Sequence, residues 1–213
     1  MRLQTKTYVR FAPNKKSFTV CTAVSIMKYA NMFKRDLISQ QNKMRKMAKI
    51  TLRKLHKTDI PLFYKWWNDK ELREYTSGTF ESMSEKVIDK TMLGHLANSL
   101  YYDFIIECDD KPIGHILIQF KKKYEIYIAI GEKDCWNKGF GTLAIRAALD
   151  WFFQNFPLEN EIDLGVNIDN PRAIACYEKV GFRKIRKRTY KKYPDTYLMR
   201  RSRENDRMEK NGK

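Results

Sequence analysis

From Lys49 onward the chain alternates between two hydrophobic periods. ITLRKL, from Ile50, places apolar and polar residues in turn, the two-residue period of a half-buried strand. KTDIPLFYKWWND then changes to helical spacing, with Thr58 or Asp59 as cap, Pro61 in the first turn, and Leu62, Trp66 and Trp67 along the helix. SMSEKVIDKTMLGHLANSL repeats that spacing: Ser82 and Glu85 fit a capping box, and Val87, Ile88, Met92, Leu93 and Leu96 supply an apolar face. Trp66 and Trp67 read as core or cleft wall. His95 is a lone histidine of the kind found satisfied or exposed, and it is not taken as a base.

The period then returns to two. Tyr102 to Cys108 and Ile113 to Phe120 form a hairpin joined by Asp109-Asp110-Lys111-Pro112, and YEIYIAIG adds a third strand. A helix follows from about Thr142. EIDLGVNI is another strand, NPRAIACYEKV a helix stopped at Gly181, and GFRKIRK with DTYLMR a last strand pair. Two helices after the first strand, an antiparallel meander, then strand, helix, strand, helix and strands predict an α+β domain with one mixed sheet.

Composition changes this picture only at the ends. The 213 residues are 43% hydrophobic, ordinary for a globular chain, and the longest apolar runs are strand-sized, well short of a bilayer span of about 20 residues. The net charge of +17 is unevenly spread: residues 1–48 carry 11 Lys and Arg against one acid, residues 183–213 carry 13 against 4, and residues 49–182 carry 18 against 20. The excess is therefore assigned to two flanks. We expect residues 1–48 to be a basic extension, disordered or preceding a start at Met44 or Met47, residues 49–201 to be the domain, and residues 202–213 to be a solvated basic tail. Such flanks bind polyanions only non-specifically, by counterion release. Cys21, Cys108, Cys135 and Cys176 lie far apart without a CxxC pair, so no metal site is expected and a reduced, cytoplasmic chain is. No membrane partner is expected, and a homodimer is compatible with the sequence.

The candidate chemistry begins at CWNKGFGTLAIRAALDWFF. Gly139-Phe140-Gly141 stands between a strand and a helix, where unpaired backbone N–H groups and a partial positive charge suit a phosphate. Lys138 could add a cation and Thr142 a hydroxyl. On its own this signal is weak, since Gly-x-Gly before a helix occurs often as plain turn chemistry. A Walker loop would need Gly-Lys-Ser/Thr at its end. A dinucleotide fingerprint tolerates Ala144 in its third slot, but the meander replaces the repeated βαβ order of a Rossmann sheet.

WNKGFGTLAIRAAL, followed by NPRAIACYEKVGF, resembles the acetyl-CoA loop and closing motif of the GNAT acetyltransferases. The resemblance reaches back through DDKPIGHILI to ITLRKL and covers roughly residues 49–200. The Trp136-x-Lys138-Gly139 form is similar to the branch of ribosomal-protein amino-terminal, amino-sugar and aminoglycoside acetyltransferases; Trp136 takes the slot where the family usually has Gln or Arg. The resemblance implies a central, mostly antiparallel twisted sheet, splayed at its central strands, with acetyl-CoA as co-substrate and a primary amine, from a small molecule or a protein amino terminus, as acceptor. It implies that amides from Lys138 through Gly139, Phe140 and Gly141 to Thr142 hold the pyrophosphate, that backbone groups near Ile128 and Ile130 meet the pantetheine and thioester, and that Asn170 caps its helix with CoA contact as a second role. Tyr177 matches the family's tyrosine and would act as acid toward the thiolate. Glu125, the only acid within the central strand, is the candidate base, directly or through water, against the reading of an exposed strand glutamate. The strand position where the aminoglycoside enzymes tend to carry an acid holds Tyr127, with Lys121 to Lys123 nearby, which disfavours a polycationic acceptor. The other function class is a non-catalytic CoA-binding or polyanion-binding module working through the basic flanks.

Overall fold

The computed structural model describes residues 48–77 and 81–203. Apart from Ala48, the expected N-terminal extension lies outside the described residues, as do residues 204–213 of the expected tail. The described residues form seven strands: β1 (Ile50–Lys54), β2 (Tyr101–Cys108), β3 (Lys111–Phe120), β4 (Tyr124–Ile130), β5 (Glu161–Asn167), β6 (Arg183–Arg188) and β7 (Thr196–Ser202). Helices α1 (Ile60–Trp67), α2 (Lys70–Ser77) and α3 (Glu85–Leu96) separate β1 from β2, α4 (Phe140–Asn155) connects β4 to β5, and α5 (Pro171–Lys179) connects β5 to β6.

The strands make one open sheet in the order β1-β2-β3-β4-β5-β7-β6. Every neighbouring pair is antiparallel except β4 and β5, which run parallel and meet at a single position, Glu125 opposite Asp163. Beyond it the two strands part, as the mixed and splayed sheet expected from the sequence requires.

Each face of the sheet carries its own core. Phe140, Ala144, Ile145, Ala148, Leu149 and Phe152 of α4 sit at the i, i+4, i+5 and i+8 spacings of a helix stripe and are buried with Ile116, Ile118, Ile126 and Leu164 of the strands. On the other face Phe63 and Trp66 of α1, Leu72 of α2 and Ile88 and Met92 of α3 pack on Ile105. Fully burying one such side chain contributes about 1.5–3 kcal/mol.

Four details differ from the sequence reading. α2 is an additional helix; KELREYTS buries only Leu72, too little for an apolar stripe to announce it. The cap of α3 is Ser84, while the Ser82 hydroxyl faces the Asn68 side chain at 3.3 Å, so the expected Ser82–Glu85 box is not formed. The hairpin turn is the two residues Asp109 and Asp110, both left-handed (φ 50° and 62°), so β3 already begins at Lys111. Finally, the assignment by charge of residues 183–213 to a flank is corrected as far as Arg203: β6 and β7 pair as the strand pair expected of GFRKIRK and DTYLMR, and the basic residues of RKIRKR belong to the folded surface.

Candidate functional site

Where β4 and β5 part, the structure opens a cavity of about 390 Å³ walled by the end of β4, the loop before α4, the first turn of α4, one side of α5 and part of α2. The amide of Gly131 donates to Ile113 of β3, so by strand alternation the backbone groups of Ile128 and Ile130 turn the other way, toward the gap. The Ile130 carbonyl is taken by the Trp136 indole N–H at 2.7 Å, which ties the loop to the end of the strand. Ile128 has no β5 partner at this level, and its N–H faces the cavity.

The loop folds back through two left-handed residues, Asn137 (φ 60°) and Gly139 (φ 80°), residue types that tolerate this region. Gly139 is the N-cap of α4, so the helix begins at Phe140, two residues before the expected Thr142. With no side chain at the cap, the first amides of a 16-residue helix are left to whatever occupies the cavity. Gly141 differs: an added Cβ would meet only Cys176 Sγ and Ile130 Cγ1, each at an ordinary 3.8 Å. Protein packing does not demand glycine there, and the residue lines the cavity.

α5 lies across from this loop. Its own N-terminus is closed, since Asn170 Oδ1 accepts from the Ala173 amide at 3.0 Å while Nδ2 donates to the Tyr75 carbonyl of α2, also at 3.0 Å. Arg172 stacks over both Tyr75 (5.2 Å) and Trp136 (5.1 Å), whose rings meet edge to face, so α2, the loop and α5 are joined on one side of the cavity. Cys176 Sγ lies 3.2 Å from the Thr142 hydroxyl, and burial pushes its thiol up. Tyr177 is buried in the cavity wall, edge-on to Phe182; burial pushes its phenol well above the usual tyrosine range, so it stays a proton donor.

The sequence-predicted residues thus divide. Ile128, Ile130, Gly139, Phe140, Gly141, Thr142, Asn170 and Tyr177 all line the cavity. Lys138 does not; its charge acts on the thiols of Cys135 and Cys108. Glu125 lies at the fork itself, on the opposite face of the sheet from α4. There it accepts a 2.5 Å bond from the Tyr127 hydroxyl and pairs with Lys121 at 3.5 Å. Burial and this bond raise the Tyr127 phenol. Tyr75, Arg172 and Cys176 were not singled out from sequence; only their spatial convergence marks them.

On that same face Trp66 is core, donating to Glu132, and Trp67 donates to Nε2 of His115 at 3.5 Å. His115 is pushed down to about 4 by burial and is neutral at ordinary pH. His95 faces Asp103 at 3.0 Å and stacks on Tyr101, a satisfied side chain as expected. Among the described residues no cluster of His, Cys, Asp and Glu could hold a metal ion, and no helix is long and apolar enough to cross a membrane.

Comparison with known proteins gives this geometry a context. Residues 49–183 match the family model described as an acetyltransferase (GNAT) domain. The chain is 25% identical over 177 residues to an aminoglycoside N(6')-acetyltransferase type 1 of Klebsiella pneumoniae, covering 70% of this chain and 82% of that one. It is 27% identical over 151 residues to an N-alpha-acetyltransferase of Saccharolobus solfataricus, covering 70% and 83%. Its fold matches that of the spermidine N-acetyltransferase of Vibrio cholerae in complex with CoA and spermine, with a TM-score of 0.63, 23% identity, and 73% and 96% of the two chains covered.

Proposed function

We infer the work of the cavity residues from one premise: the chain belongs to the GNAT acetyltransferase family. It is an acetyl-CoA-dependent N-acetyltransferase that transfers an acetyl group to a primary amine. We assign this activity to a domain spanning residues 49–201. The observation that carries the assignment of roles is the coincidence of two open hydrogen-bonding edges in one cavity: the unpaired side of β4 and the side-chain-free N-terminus of α4.

In this reading the amides from Lys138 to Thr142 hold the CoA pyrophosphate, with Gly139 shaping the loop and Gly141 leaving room. Acetyl-CoA supplies an activated thioester. The backbone around Ile128 and Ile130 aligns the pantetheine in the notch, and the Ile128 N–H polarises the thioester carbonyl. The acceptor nitrogen forms its bond to the carbonyl carbon as the C–S bond breaks. Tyr177, held as a phenol, donates its proton to the departing sulfur. Glu125, bonded to Tyr127 on the sheet face opposite α4, takes the amine's proton, directly or through water.

Calorimetric titration with acetyl-CoA, followed by thiol release against a panel of amines, tests this reading. Binding with turnover of at least one amine is expected. Absence of acetyl-CoA binding would overturn it, and binding without turnover of any amine would leave a CoA-binding module instead.

A further inference from the structure

The register of the last hairpin decides what the acceptor side of the sheet presents. β6 pairs with β7 through Lys184 opposite Met199 and then Arg186 opposite Leu198, so Ile185 is a bulge. Without it, strand alternation would give Arg183, Ile185 and Lys187 one face. With it, Arg183, Arg186 and Arg188 stand together opposite Arg200, Leu198 and Thr196. Those residues in turn pair with Asp163, Gly165 and Asn167 of β5, and Asp163 pairs with Glu125. The arginines therefore share the face of Glu125 and Tyr127, across β7 and β5 from the notch.

Between the two sides lies Gly165, exposed, with nothing within 4 Å of where a Cβ would be. It is bare sheet surface with Tyr127 on one side and, beyond Leu198 of β7, the arginine row on the other. The positive charge of Arg188 acts on the Tyr127 hydroxyl, as the smallest of the influences on that phenol after burial and Glu125.

The charges of this face are unequally satisfied. Its strand acids are all engaged: Glu125 by Lys121 and Tyr127, Asp163 by a two-pronged bond to Arg200 (2.6 and 2.9 Å), Glu161 by Lys123 and Arg200, Asp103 by His95. Arg183, Arg186 and Arg188 have no carboxylate partner among the described residues, whereas their neighbours Lys184 and Lys187 pair with Glu178 and Asp195. What remains on this face, across β5 and β7 from the notch, is a row of planar, forked donors suited to carboxylate or phosphate, in a field that repels a polycation.

We propose that the acceptor of this transferase is an amine whose body carries anionic groups, carboxylate or phosphate, lying across Gly165 with its amine at the Glu125–Tyr127 end and its anion on Arg186 and Arg188. The proposal rests on the transferase reading above. The relatives named for aminoglycosides and spermidine act on cationic amines; here the acceptor side is built with the opposite sign.

The test is steady-state thiol release by the full chain with acetyl-CoA and matched acceptors: amino-terminal peptides with Asp-Glu, Ser-Ala or Lys-Lys after the first residue, glucosamine with and without a 6-phosphate, and spermidine. The anionic member of at least one set should have a KM about tenfold lower than its neutral counterpart, the effect of one charge-assisted hydrogen bond. Which set responds separates carboxylate from phosphate. Arg186→Gln with Arg188→Gln should erase that preference while leaving the KM for acetyl-CoA unchanged, and added salt should weaken it in the parent. Preference for spermidine or the Lys-Lys peptide, or an anionic preference that survives the double substitution, would overturn the proposal. Turnover of no acceptor also overturns it, and acetyl-CoA titration then tells whether the transferase reading fails with it.

Discussion

Two helices of similar approach but opposite ends face each other across the cavity. α5 is closed by its own chain: Asn170 caps the Ala173 amide and Pro171 removes an N–H that would otherwise need a partner. α4 is left open, with glycine at its cap and no side-chain cap bond. The difference teaches where a ligand belongs. A protein that caps one helix with a good residue and leaves the longer, better-buried helix uncapped has kept the second terminus for something else. In the reading proposed above the two helices divide the work, with α4 binding through its end and α5 reacting through a side chain, Tyr177.

That division can be broken from either side. Tyr177→Phe should lower turnover about 100-fold, the weight of one general acid, with acetyl-CoA affinity unchanged; a variant that loses affinity and keeps its turnover number would put Tyr177 on the binding side. Because burial raises this phenol, it remains protonated as pH rises, so the parent's rate should show no alkaline fall from this group up to about pH 10. A fall between pH 7 and 9 that disappears in Tyr177→Phe would mean that burial does not hold this phenol protonated.

Gly141→Ala probes the other helix. Its Cβ has room in the free protein, so the melting temperature should hold, while calorimetry should show acetyl-CoA affinity down about tenfold. Retained affinity would mean that the open terminus holds nothing. The smallest effect is expected from Asn170→Ala, which should cost about 1 kcal/mol of stability in denaturant unfolding as a lost cap. If acetyl-CoA affinity falls with it, Asn170 also serves the ligand and the contrast between the two termini narrows.

Much of this was legible in the sequence because it is local. The strands announce themselves by alternation, α5 by Asn170-Pro171 before it and Gly181 after it, and the loop by glycines whose spacing resembles a known motif. What was not legible depends on non-local packing or on one-residue shifts. α2 is too polar to show a stripe, yet Tyr75 on it completes the stack with Trp136 and Arg172. Glu125 stands out in sequence as an acid in a strand; its bond to Tyr127 follows from both side chains lying on one face of β4. The basic run of residues 183–192 reads as part of a flank by charge counting, and the bulge at Ile185, which sends three arginines to one side, has no compositional signature.

β6 has one more consequence, at its backbone. Among the described residues it pairs only with β7, and its other edge has N–H and C=O groups that no described strand takes. An exposed edge of this kind is a template for aggregation, and five cations in six residues guard it: a second copy approaching edge to edge would bring the same charges against its own. The strand that gives one face of the sheet its sign also marks where the sheet stops growing. Neutralising these cations should therefore make the protein less soluble before it makes it less stable.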